Sequence, residues 1–205
     1  FEILWQKVWP ARSDDAVGGK DSVQCKPAVK EIAKFWAPPL HVLLGAVQIF
    51  VVTLLERKRQ KIDEGDETAL EKYGELVAFL AETVNKTTNY IEKVTAFTGP
   101  EINKLVKNAE FLKLLDREEV AAWVAFIDVK EKFLGNERAP NYQVLVERML
   151  MCYKDIGCRC TYKLHLLHAH LDRFPPNCGA QGEQQCEKAH QDIMHQELNY
   201  KSRMN

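Results

Sequence analysis

The sequence has no glycine-rich phosphate loop, no G-x-S-x-G elbow and no Ser/His/Asp order, which removes the common nucleotide and serine-nucleophile chemistries. It has no excess of charge either. Lys+Arg number 28 against 29 Asp+Glu, so the composition gives no electrostatic footprint for nucleic acid. Strand-like alternation is missing as well, with only Cys160 to Leu164 passing for a short strand. No internal repeat or low-complexity tract is present. The six cysteines, at 25, 152, 158, 160, 178 and 186, form no compact even framework of the secreted mini-protein kind. They are read as reduced, although the four from Cys158 to Cys186 would oxidise in an oxidising compartment. The opening Phe1-Glu2-Ile3-Leu4-Trp5 is followed at once by Lys7, Trp9 and Pro10, without an apolar core or a small-residue cleavage site, so no signal peptide is expected.

What is present is a helical chain. Its 205 residues, 46% hydrophobic and 28% charged, are enough for one globular domain with its own core. Residues 1–37, with Pro10, Gly18, Gly19 and Pro27 among charges, read as an irregular segment. A helical domain follows over 38–157, and a His- and Cys-containing segment with a second polar helix occupies 158–205.

After Pro38-Pro39, the run Leu40 to Leu55 is apolar on nearly every side of a helix. Arg57, Lys58, Arg59 and Lys61 follow it as positive flanks would follow a membrane span. The run nevertheless falls about four residues short of the roughly 20 a bilayer requires, so it is assigned as the central buried helix, with no membrane. From Asp66 to Thr98, apolar residues recur every three or four positions, with a gap that places a break near Asn85. Pro100 suits the first turn of the next helix. Asp116-Arg117-Glu118-Glu119 is a capping box opening a helix that buries Val120, Trp123, Val124, Ile127 and Phe133 and stops at Gly135-Asn136. Pro140-Asn141 opens another, carrying Val144, Leu145, Met149 and Leu150 to Gly157.

Four of the six histidines lie between Thr161 and Asp192, with Glu187 opening a polar helix behind three of them. Clustered imidazoles followed by a placed carboxylate are what a metal-supported site needs. His165 and His168 share a helical face, whereas His165 and His170 would diverge by about 140° on a straight helix. A metal shared by His165 and His170 therefore requires a bent or broken segment. On spacing alone, Leu164, Leu166, Leu167 and Leu171 form an ordinary apolar face, with the histidines as partly exposed hydrogen-bonders. Cys158 and Cys160 lie close by as possible thiolates, but C-x-C is a weak zinc signature.

Several ordered motifs carry a resemblance along almost the whole chain: Trp9-Pro10-Ala11-Arg12, Pro38-Pro39-Leu40-His41-Val42-Leu43-Leu44-Gly45, Phe97-Thr98-Gly99-Pro100-Glu101-Ile102, Phe133-Leu134-Gly135-Asn136, and above all Lys163-Leu164-His165 with Ala169-His170-Leu171-Asp172-Arg173-Phe174-Pro175 and Glu187-Lys188-Ala189-His190-Gln191-Asp192. Together they resemble the C-terminal half of an animal (arthropod- and fish-type) DD[E] transposase-like family, related more distantly to the Transib and recombination-activating group. The resemblance implies a mainly α chain: an all-helical insertion-type domain, then a C-terminal helix from an RNase H-like core, with little or no strand. It also implies a zinc site in which His165 and His170 are the histidine half. Glu187 would be the catalytic, Mg²⁺-binding glutamate of a two-metal phosphodiester reaction.

The chain departs from the family pattern in ways that matter for chemistry. No C-x-x-C pair precedes Trp9-Pro10, and both catalytic aspartates would lie upstream of residue 1. The family's glycine before the glutamate is Cys186, and an aromatic position after it is Ala189. The expectation is thus a fragment or domesticated remnant of a cut-and-paste transposase that is no enzyme by itself. For this chain alone no cofactor is expected, Mg²⁺ and Zn²⁺ being implied only by the resemblance. Its partners would be DNA, weakly, or proteins including a second copy, and its place the nucleus. The alternative is a secreted helical binding or structural module derived from a transposase, with no DNA chemistry.

Overall fold

The structure is a computed structural model that describes residues 39–93 and 95–179. These residues form eight α-helices and one short 3₁₀ turn, with no strand among them, so the chain is mainly α. Cys160 to Leu164, the one strand candidate, contains the start of a helix instead.

The central helix is α1, Pro39–Asp63. It packs against α2 (Ala69–Val84), α4 (Gly99–Lys107), α6 (Arg117–Lys132) and α8 (Tyr162–Ala169), which is why its apolar residues surround the helix rather than forming one stripe. It also runs beyond Leu55 through the basic residues that follow, and ends where Gly65 takes a left-handed φ of 88°. Length and composition would let α1 cross a bilayer, but those basic residues are engaged within the fold.

That engagement is a charged cluster between α1 and the start of α6. Glu119 is 0% exposed and Lys58 only 3%. The Glu119 carboxylate accepts a hydrogen bond from Arg57 Nε at 3.2 Å and stands 3.7 Å from Lys58 Nζ. It also accepts the Asp116 backbone N–H at 2.9 Å, which is the reach-back bond of the predicted capping box. Lys61 donates to Asp116 at 2.7 Å, and this bond is the main reason the Asp116 carboxyl is held below its usual range. Arg57 also donates to the Ile156 carbonyl at 3.2 Å, tying in the end of α7 (Tyr142–Asp155). Two buried charges are tolerated here because each has partners on another element.

The break expected near Asn85 is present, with Asn85 at φ 52° closing α2 before α3 (Thr88–Lys93). In α4, Thr98 N–H donates to Glu101 at 2.7 Å and Pro100 sits in the first turn. The single-turn α5, Glu110–Lys113, was not legible from periodicity, being too short to show any. Two buried faces match expectation only in part: Trp123, Phe133, Met149 and Leu150 are buried, and Val120, Ile127 and Leu145 are half-buried against the core. On α6 the buried residues are Glu119, Ala122, Trp123, Ala125, Phe126 and Val129, while Val124 is exposed. On α7 the buried residues are Val146, Met149, Leu150 and Tyr153, and Val144 is 63% exposed.

At the centre of the core, Trp123 meets three rings: Phe50 at 5.2 Å, Phe126 at 5.1 Å and Phe111 edge-on at 4.9 Å. Phe50 in turn stacks on Tyr153, whose hydroxyl donates to the Ala46 carbonyl. The core is continuous from Val42 to Cys178.

Candidate metal centre

Helix α8 follows Thr161, whose hydroxyl accepts the Leu164 N–H at 3.3 Å, an N-cap that fixes where the helix starts. Its Leu164, Leu166 and Leu167 are buried, and so is His165. The helix ends at Ala169. His170 is its C-cap, at φ −137° and ψ 41°, and the chain turns there into the 3₁₀ turn Leu171–Arg173. This bend is the one that a pairing of His165 with His170 requires. It brings the two rings to 5.4 Å between centroids, nearly perpendicular at 87°. His168, which spacing puts on the face of His165, instead lines a groove against α7.

The segment after the bend is clamped from α6 and its following loop. Arg138 lies over the rings of Phe133 (5.1 Å) and Tyr142 (4.8 Å) and donates to the carbonyls of Phe174 and Pro175. Phe174 packs on Phe133 at 5.2 Å. Gly179 N–H donates to the Gly135 carbonyl at 2.9 Å, and a Cβ on Gly179 would stand 2.1 Å from Asn136 Oδ1. The Phe133–Asn136 and His170–Pro175 motifs are therefore one structural unit, joined by an arginine that the sequence reading passed over. Its position after a Gly-Asn stop gave no hint of a partner 36 residues on.

Two imidazoles sharing a tetrahedral zinc hold their centroids roughly 5 Å apart, since each ring nitrogen stands about 2 Å from the ion. The 5.4 Å between the His165 and His170 centroids is close to that spacing. The His170 imidazolium is disfavoured by burial and then by the neighbouring His165, which leaves the neutral, ligating form favoured. The described residues do not supply the other half. Among the described residues no group of three or more His, Cys, Asp or Glu side chains could hold a metal ion. Cys158 and Cys160 are core residues, and burial pushes their thiols up to about 12 and about 11, so neither is a ready thiolate. Burial likewise raises the Cys178 thiol, which donates to the Pro175 carbonyl. Glu187 lies outside the described residues. The chain alone is expected to carry no stoichiometric zinc.

Residues 67–135 match a domain of unknown function, DUF8704. That stretch runs from just before α2 to just after α6, so the similarity covers about a third of the chain and stops short of both histidines. No curated protein and no solved structure matches the chain.

Proposed function

We propose that this chain is the helical, insertion-type part of a cut-and-paste transposase or of a protein descended from one, leading into a helix of an RNase H-like core. His165 and His170 are then the histidine half of a zinc site that needs two further ligands, and Glu187 is one carboxylate of a metal-binding set. The observation that carries this reading is the bend at His170, which brings together two rings that a continuous helix would separate. The clamp by Arg138 supports it, because it holds the segment that follows the bend at Phe174 and Pro175.

On this reading the chain has one metal carboxylate where phosphodiester chemistry by two metals needs several. Incubation with supercoiled or hairpin DNA and Mg²⁺ or Mn²⁺ should leave the DNA intact. Cleavage that Glu187→Gln abolishes would overturn the proposed incompleteness. DNA affinity should be weak and fall steeply with salt, since a near-neutral chain has few cations to spare for phosphates. A second reading, a helical binding module with no DNA chemistry, draws support from the cysteines: buried, protonated thiols fill a core and do not await a metal.

A further inference from the structure

We propose that Asn85 is the acceptor of an N-linked oligosaccharide. Asn85-Lys86-Thr87 is the chain's one Asn-x-Ser/Thr triplet, and its middle residue is not proline. The three residues make up the whole connection between α2 and α3, where periodicity places the break, and all three are exposed. In a continuous helix residues two apart diverge by about 200°, so the Asn85 amide and the Thr87 hydroxyl would face opposite ways. The break removes that obstacle. The left-handed backbone of Asn85, φ 52° and ψ 51°, is held by its own N–H on the Glu82 carbonyl at 3.1 Å and by the Lys86 N–H on the Ala81 carbonyl at 2.9 Å. The side-chain amide takes no part in holding that turn, and among the described residues it makes no hydrogen bond.

The two neighbours in the triplet are each engaged lightly. Lys86 holds its ammonium 5.3 Å over the Tyr90 ring and 4.0 Å from Glu101 of α4. The Thr87 hydroxyl, which the transferring enzyme must recognise, accepts the Tyr90 N–H at 3.2 Å at the start of the six-residue α3. So short a helix opens readily at its end, which frees the hydroxyl. The co-reactant is an oligosaccharide linked to a polyprenyl pyrophosphate. Asn85 Nδ2 forms a bond to the anomeric carbon of the first sugar, and the bond from that carbon to the pyrophosphate oxygen breaks. The pyrophosphate leaves with the electron pair, and the amide nitrogen gives one proton to a base of the enzyme. That donor is met in the secretory lumen, so the assignment rests on the second reading, taken as a module outside the cell.

The test is the full chain expressed in mammalian cells behind an added, cleavable secretion signal, with intact mass and peptide mapping before and after peptide-N-glycosidase. The wild type should carry one glycan, at Asn85, that the glycosidase removes. Asn85→Asp and Thr87→Asp should each lose it completely. Aspartate tolerates the left-handed turn at the first position and caps α3 at the second, so circular dichroism should show both variants as helical as the wild type. Thr87→Ser keeps the hydroxyl and should keep the glycan. A wild type that passes through the lumen bare at Asn85 overturns the proposal, as does a glycan that survives Thr87→Asp. A bare chain secreted in folded form overturns the proposal and leaves the second reading standing. A chain glycosylated at Asn85 but never released in folded form does the reverse.

Discussion

Glu119→Ala should lower stability by about 3–5 kcal/mol, because it leaves Lys58 charged and buried without its carboxylate. Chains of this size shift their midpoint by roughly 2–4 °C per kcal/mol, so thermal unfolding should begin about 10 °C earlier. Three contacts end together: the Arg57 bond, the Lys58 pairing and the reach-back to the Asp116 N–H. The loss of the last alone removes an α6 cap worth about 1 kcal/mol. The diagnostic variant is the double one. Lys58→Met in the Glu119→Ala background should recover a substantial part of the loss, since it removes the orphaned charge and leaves an apolar stem of similar length. If Glu119→Ala proves neutral by denaturant or thermal melts, the cluster is not a buried pairing, and the basic residues after Leu55 revert to possible flanks of a membrane span.

Trp123→Ala should cost a comparable amount, about 3–5 kcal/mol, by opening a cavity among Phe50, Phe111 and Phe126. These rings come from α1, α5 and α6, so the cavity lies where three elements meet and cannot close by moving one of them. Trp123→Phe should retain most of the stability. The exposed Val124 beside it provides the control, with Val124→Ala expected within about 0.5 kcal/mol of wild type. Equal losses at 123 and 124 in urea melts would show that α6 buries the face its sequence suggested rather than the one described.

Those two neighbours show how far the sequence could be read. The α6 start, its capping box and Trp123 in the core were all legible, because Asp116 to Glu119 has a local hydrogen-bonding logic that no tertiary contact needs to complete. The face was legible only in part, with Val124 misplaced and Glu119 missed. A hydropathy pattern prefers Val120, Val124 and Ile127, and cannot know that Glu119 is the buried member because Arg57 and Lys58 come to meet it from α1. The break at Asn85 was readable from the gap in the apolar spacing, whereas the break at His170 was not. Nothing near Ala169 is a glycine or proline, so helix geometry alone separated His165 from the histidine it meets. Arg57, Lys58 and Lys61 resembled membrane flanks for the same reason: their carboxylate partners are at the start of α6, some 60 residues away, and appear only when the chain is folded.

Whether His165 and His170 are half of a zinc site is read most directly by metal analysis of chain purified without a histidine tag or chelator, followed by cobalt(II) titration with and without a peptide carrying a Cys-x-x-Cys pair. The half-site predicts no stoichiometric zinc on the chain alone. It also predicts a tetrahedral cobalt spectrum only when the peptide supplies two thiolates, lost in His165→Ala and in His170→Ala. One equivalent of zinc on the chain alone, lost on His165→Ala, would contradict it by showing a complete site, and so would a cobalt spectrum with the peptide that neither histidine variant alters.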